Sequence, residues 1–366
     1  MYIHERKEWP NFTWNHTRLA DLLAETRHLQ GRLLGRMEAL GFRLREEATL
    51  QYLTQDVLKT CEIEGESLDA EQVRSSIATR LGIDIGISPH VARNVEGIVE
   101  IMMDATRNYD APLTAERLFD WHAALFPTGR SGMRRITVGG WRGESSGAMQ
   151  VISGPVGREK IYFEAPVYER LEEEMNRFIT WFNTGTEMDL VMKSALAHFW
   201  FITIHPFEDG NGRIGRAISD MLLAKSERST QRFYSMSSQI QRERNAYYKI
   251  LEKCQKGSLD VTSWMEWFLG CLKRAIESSQ ETLEAILIKA RFWESHAGES
   301  FNDRQHSMIN RLLNGFEGKL TSTQWAKIAK CSQDTALRDI NKLVEREILT
   351  KADAGGRSTS YTLIVG

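Results

Sequence analysis

Apolar residues at Leu19, Leu22, Leu23, Leu29, Leu33, Met37 and Leu40 recur mostly at three- and four-residue steps, which predicts an amphipathic helix over 19–44. A second helix is expected over 49–64, with Leu50, Leu53, Val57, Leu58 and Cys61 on one side and Gly65 placed to end it. Asp69 followed by Gln72 has the spacing of an N-cap for the next helix. The pattern then predicts helices over 91–106 and 114–125. Ahead of all of these, Trp9, Pro10, Phe12 and Trp14 form an aromatic lead whose ordinary role is to cap a small core.

Glycine-rich, turn-prone sequence fills 129–157, and within it MQVIS and KIYFEA read as short strands bracketing the turn GPVGR, a hairpin. After Pro166 the helical period resumes in YERLEEEMNRFITWF, with Leu171, Met175, Phe178 and Phe182 on one face. The run DLVMKSALAHFWFITI is apolar all round and is therefore expected to be the central helix of a core. Past about residue 290 the order becomes short helix, tight turn near Cys331, longer helix with Leu337, Ile340 and Leu343 inside, then two strands joined by 354–358. Helix, turn, helix, hairpin is the order of a winged helix. The expected fold class is mainly α.

Composition narrows the class without naming a partner. The chain has 366 residues, 42% hydrophobic and 26% charged, enough to bury two or three cores. A net charge of −2 does not mark a nucleic-acid or membrane binder. Cys61, Cys254, Cys271 and Cys331 are far apart with no metal-type spacing, which suits a reducing compartment. No uncharged run reaches the length of a membrane span, so a cytoplasmic protein with no membrane contact is expected.

Chemistry concentrates in one segment. The buried helix must end at His205, because Pro206 cannot continue its hydrogen bonding, and PFEDGNGRIGR follows as a loop that opens directly into another helix. Gly210 and Gly212 expose backbone N–H groups at that helix start, where phosphate oxygens bind. Arg213 and Arg216, three residues apart, can reach the same side as guanidinium clamps. Asp209 offers a hard oxygen suited to Mg²⁺, Asn211 an amide for a phosphate oxygen, and His205 a base near neutral pH. A lone His, Asp or Arg is ordinarily a solvated or core residue; five such groups in twelve residues reverse that expectation.

HPFEDGNGRIGR, residues 205–216, resembles the signature of the Fic family, with every fixed position filled. The resemblance extends over roughly 50–290 and implies a Fic-type helical core with a β-hairpin flap, an N-terminal helical region and a C-terminal winged helix. The domains implied are 1–95, holding an inhibitory helix at about 49–65, then a catalytic core over 96–290 and the winged helix over 291–366. It implies a protein adenylyltransferase that moves AMP from ATP, with Mg²⁺ or Mn²⁺, to a Ser, Thr or Tyr hydroxyl of a target protein. His205 would be the base, Asp209 the metal ligand, Asn211 an α-phosphate contact, Gly210 and Gly212 the anion hole, and Arg213 and Arg216 the clamps on the outer phosphates. Phe207 would anchor the loop. The hairpin over 150–165 matches in position the family's flap, so Val151, Ile152, Ser153 and Gly154 would line the nucleotide entrance. YYKILEKCQKG resembles the segment that closes over adenine, nominating Tyr247, Tyr248 and Gln255.

Thr60-Cys61-Glu62-Ile63-Glu64-Gly65 resembles the family's inhibitory motif, in which Glu64 would occupy Arg216 and exclude the γ-phosphate. Physically, a carboxylate at a helix C-terminus is disfavoured unless a cation answers it. The resemblance also leaves room for removal of AMP, transfer of other phosphate-containing groups, self-modification and a homodimer. A reading of another class makes the chain a DNA-binding regulator, with Gln333, Thr335, Arg338 and Lys342 in a groove and Arg357 on the wing.

Overall fold

A computed structural model describes residues 1–38, 42–84, 90–144, 149–153, 160–185, 187–313, 316, 318–352 and 359–364. The chain divides into two compact units, 1–279 and 280–366.

The first unit opens with a short 3₁₀ turn, Ile3–Glu5, followed by α1 (His16–Glu38), α2 (Phe42–Ile63), α3 (Ala70–Leu81), α4 (Arg93–Arg107) and α5 (Ala115–Leu125). The second helix begins earlier than expected, at Phe42 rather than 49; Leu40 lies outside the described residues. Apolar spacing continues across both helices, so periodicity carries no break. Thr49 lies inside α2, where its hydroxyl donates to the Arg45 carbonyl at 2.7 Å. The expected Asp69 cap forms, accepting from Gln72 N at 2.9 Å, and Thr114 caps α5 in the same way, accepting from Arg117 N at 3.1 Å. Gly65 follows α2 at φ +84°, the left-handed region that stops a helix.

The turn-rich stretch contains more than turns. A two-residue hairpin, β1 (Arg130–Ser131) against β2 (Arg134–Arg135), precedes the expected one, β3 (Gln150–Ser153) against β4 (Lys160–Glu164). Both are antiparallel. Then come α6 (Tyr168–Asn183), α7 (Leu190–Ile204), α8 (Asn211–Glu227), α9 (Met236–Arg242), α10 (Arg244–Gln255) and α11 (Thr262–Ser295).

The expected central helix is central. Every residue of α7 from Val191 to Ile204 is buried, and α7 packs along α8. The aromatic lead closes this core as expected: Trp9 donates to Glu174 Oε2 at 2.7 Å, and Trp9 and Phe12 meet Trp200 edge-on.

The second unit holds α12 (Asp303–Leu313), α13 (Ser322–Ile328), α14 (Gln333–Glu345) and the antiparallel pair β5 (Leu349–Lys351) and β6 (Tyr361–Leu363). Trp325, Ile340, Leu343 and Ile348 are core residues. Leu337, expected inside, is 42% exposed, and Ala336 takes the buried position beside it. Among the described residues no helix is long and apolar enough to cross a membrane.

Candidate active site

The loop between α7 and α8 is held from several sides. His205 caps α7 in the left-handed region, φ 53° and ψ 58°, which turns the chain sharply after a wholly buried helix. Arg142, buried at 0% exposure, donates Nε to the His205 carbonyl at 2.9 Å, and its backbone N–H donates to the Pro206 carbonyl at 2.9 Å. Asn211 spans the loop: its Oδ1 accepts from Phe207 N at 2.9 Å and its Nδ2 donates to the Phe207 carbonyl at 2.8 Å. Phe207 is fully buried and stacks on His122 at 4.2 Å, while His122 Nε2 lies 3.2 Å from the Asp209 carbonyl. The amide of Asn211 is thus engaged with the loop's own backbone.

His205 Nδ1 lies 3.2 Å from the Ile202 carbonyl oxygen, a contact that requires the proton on Nδ1 and leaves the lone pair on Nε2. Burial lowers its pKa to about 4, against the opposing pull of the Ile202 contact, so the ring is neutral at pH 7. Asp209 stands at the loop's outer edge with its side chain 42% exposed. Its Oδ1 accepts from Gly210 N at 2.5 Å and its Oδ2 from the Ser131 hydroxyl on β1.

Both expected arginines are anchored on the first turns of α8, and each meets a carboxylate from the turn after α2. Arg216 Nη2 lies 2.7 Å from Glu64 Oε1, and it also donates Nε to Thr60 Oγ1 at 2.7 Å and Nη2 to the Thr60 carbonyl at 2.8 Å. Burial works against its charge, but Glu64 outweighs that, and the guanidinium pKa is raised. Arg213 Nη1 donates to Glu66 Oε2 at 2.7 Å, and its plane lies over the Phe126 ring at 5.2 Å. Gly212 allows this close approach, since a Cβ there would collide with Glu64 Oε1. Arg216 Nη1 and Arg213 Nε are buried donors with no partner among the described residues.

The remaining expected residues are less convergent. Tyr247 is 2% exposed, with its hydroxyl 2.8 Å from His198 Nε2, and Tyr248 packs beside it at 5.1 Å. The two tyrosines adjoin Glu64 and Arg216, whose charges act on both phenols. Gln255 lies buried at the end of α10 and donates to Thr203 Oγ1 at 3.3 Å, so its amide faces α7. Val151, Ile152 and Ser153 lie on β3, Val151 opposite Phe163; Gly154 lies outside the described residues. On α14, Gln333, Arg338 and Lys342 are exposed together with Asp334 and Glu345, Thr335 bonds back to Ser332, and Arg357 is not described.

Sequence reasoning did not find Arg142, His122, Ser131, Glu66 or Arg244, whose Nε donates to the Ile63 carbonyl at the end of α2 at 2.8 Å. Glu66 alone had a signal, its place directly after the inhibitory-type motif. Glu62, Glu64 and Glu66 alternate there, and only the helix end separates them: Glu62 turns to Lys59 at 2.7 Å.

The donor set suits a magnesium nucleotide. Mg²⁺ commonly takes one or two protein carboxylates and fills its other positions with phosphate oxygens and water, and Asp209 is a half-exposed carboxylate beside two arginines with unused buried donors. Among the described residues there is no cluster of three or more His, Cys, Asp or Glu that would form a metal cage without a substrate.

Comparison with known proteins bears on the family and the fold. Residues 112–223 match the Fic/DOC family, and residues 2–83 match a domain of unknown function (DUF4172). A Protein adenylyltransferase Fic of Culex quinquefasciatus is 24% identical over 275 residues, covering 72% of this chain and 48% of the relative. One of Drosophila mojavensis is 24% identical over 241 residues, covering 64% and 42%. The chain therefore spans about half the length of the curated relatives it matches, or less. In fold it is similar to the crystal structure of a Fic family protein from Desulfovibrio desulfuricans G20, at TM-score 0.55 and 22% identity over 97% of this chain and 98% of that one. A Fic domain containing signaling protein from Bacteroides thetaiotaomicron VPI-5482 aligns at TM-score 0.51 and 18% identity, over 73% and 97%.

Proposed function

We propose that this chain, which carries a Fic/DOC domain, transfers AMP from ATP to a Ser, Thr or Tyr hydroxyl of a protein, and that the arrangement described here is its restrained state. The observation that carries the reading is the convergence of a neutral His205 with a lone pair on Nε2, the Asp209 carboxylate and two buried arginines with unpaired donors on one loop and helix start. In the reaction the acceptor oxygen bonds to the α-phosphorus, the bond from that phosphorus to the bridging oxygen breaks, and pyrophosphate leaves. His205 Nε2 takes the hydroxyl proton. Asp209 would hold Mg²⁺, which neutralises phosphate charge when bound. The α8 N-terminus and both guanidiniums orient the phosphate chain, so this chain's contribution is mostly alignment and charge.

The restraint follows from the same atoms. Glu64 occupies Arg216 and crowds Gly212, and Glu66 occupies Arg213, so the groups that would hold the outer phosphates are engaged. In the Glu64→Gly protein, Arg216 is released and transfer rises. Incubating wild type and Glu64→Gly with ATP labelled at the α- or the γ-phosphate, followed by mass spectrometry, tests both points. The α label should remain on protein, more of it with the variant. Retention of the γ label would replace AMP transfer with a kinase-type reaction, and equal α labelling would remove the restraint. Removal of AMP is the second reading, supported by the nearness of the Glu64 carboxylate to Arg216, where it could activate water.

A further inference from the structure

The β1–β2 hairpin is unlike the rest of the site's surroundings. It presents three guanidiniums in six residues, Arg130, Arg134 and Arg135, all exposed, and Met133 at its tip is 95% exposed. Its register sets Arg130 directly opposite Arg135, and like charges facing one another across a strand pair are destabilising unless something answers them. Among the described residues little does. Arg134 pairs with Glu208, whose other oxygen is taken by Thr137 N and Oγ1 at 3.1 and 2.9 Å. Among the described residues Arg130 reaches only the Met133 carbonyl, at 2.9 Å, and Arg135 has no ion pair. Yet the hairpin is tied to the catalytic loop through Ser131 to Asp209 and through Arg134 to Glu208, and Thr137 just after it also bonds Glu208. A solvated loop would have no need of like charges held in register or of a bare methionine at the tip.

We propose that this hairpin is a docking surface for an acidic segment of the acceptor protein, with Arg130 and Arg135 pairing with its carboxylates and Met133 covering an apolar side chain beside them. A protein segment fits better than the nucleotide for two reasons. The phosphate chain already has two buried guanidiniums on α8, whereas Arg134 is 64% exposed; and an exposed methionine offers nothing to a phosphate. Charges of this kind at a rim set partner choice and encounter rate. The word acceptor rests on the transfer reading; the binding itself does not.

The test uses the full chain and a short fluorescein-labelled peptide with one Thr flanked by Glu and Leu, with a control peptide carrying Lys in place of Glu. Anisotropy at low salt should show the Glu peptide binding wild type, and binding roughly tenfold weaker to the Arg130→Glu/Arg135→Glu protein, which should instead favour the Lys peptide. Affinity for Mg·ATP should not change. Equal affinity of both proteins for the Glu peptide overturns the proposal, and so does a parallel loss of ATP affinity, which would assign the hairpin to the nucleotide. Arg135→Glu alone keeps the bond from Arg130 to the Met133 carbonyl and should show a smaller loss in the same direction, which guards against a misfolded double variant. In a second arm, the Glu64→Gly protein should transfer α label to the Glu peptide in preference to the Lys peptide. If no protein or peptide is labelled while binding still depends on Arg135, the transfer reading fails and the docking surface stands.

Discussion

The loop proposed to carry the chemistry and the turn proposed to restrain it are built in opposite ways. Over 205–212 the backbone is braced by buried groups, Arg142, Asn211 and Phe207, with exposures of 0%, 2% and 0%. The turn after α2 reaches the same place through two carboxylates that remain partly in water, Glu64 at 31% and Glu66 at 37%. Partners that are both desolvated are costly to separate, whereas a half-exposed carboxylate can return to solvent at little loss. The difference suits the proposed roles, a loop that stays in place and a restraint that can leave.

The sharpest way to probe the first region is His205→Ala. Transfer should fall about a thousandfold while ATP binding persists, since only the proton acceptor is lost. The same residue sets the acid limb of the rate. The neutral imidazole is the active form and its pKa is lowered to about 4, so kcat/KM for transfer should hold well below pH 6.5 and fall only as pH approaches about 4. An acid limb near 6.5 would show that His205 is not the buried base described. Arg142→Met should cost about 2 kcal/mol of unfolding free energy by stranding the His205 and Pro166 carbonyls. Little change in a denaturant melt would mean the loop does not depend on that brace.

The second region should respond more gently and in the opposite sense. Release of Arg216 by Glu64→Gly is expected to raise transfer by about 2 kcal/mol, roughly thirtyfold. Glu66→Gln removes a more exposed partner from Arg213 and should add about 0.5–1 kcal/mol, a factor of two to five, measured as the initial rate of α-label incorporation. If Glu66→Gln exceeded Glu64→Gly, the ranking by burial would be wrong.

Much of this molecule is legible from local pattern. Apolar periodicity located α4 to α6, Asp69 announced its cap, and the all-apolar run before His205 identified the central helix, because helix formation and capping depend on residues within four positions of one another. The 205–216 segment offered its candidate chemistry for the same reason, its groups being neighbours in sequence, and Glu64 could be matched to Arg216 only by resemblance.

What tertiary structure decided are the long-range partnerships. Ser131 and Asp209 meet across 78 positions, Arg142 and His205 across 63, and Glu66 and Arg213 across 147. It also decided which way a residue faces when periodicity allows two answers, as with Leu337 and Ala336, and it turned the Asn211 amide onto Phe207. No local propensity encodes such pairs, because each is set by the packing of helices whose contact faces are apolar and whose polar groups take whatever partner that packing delivers.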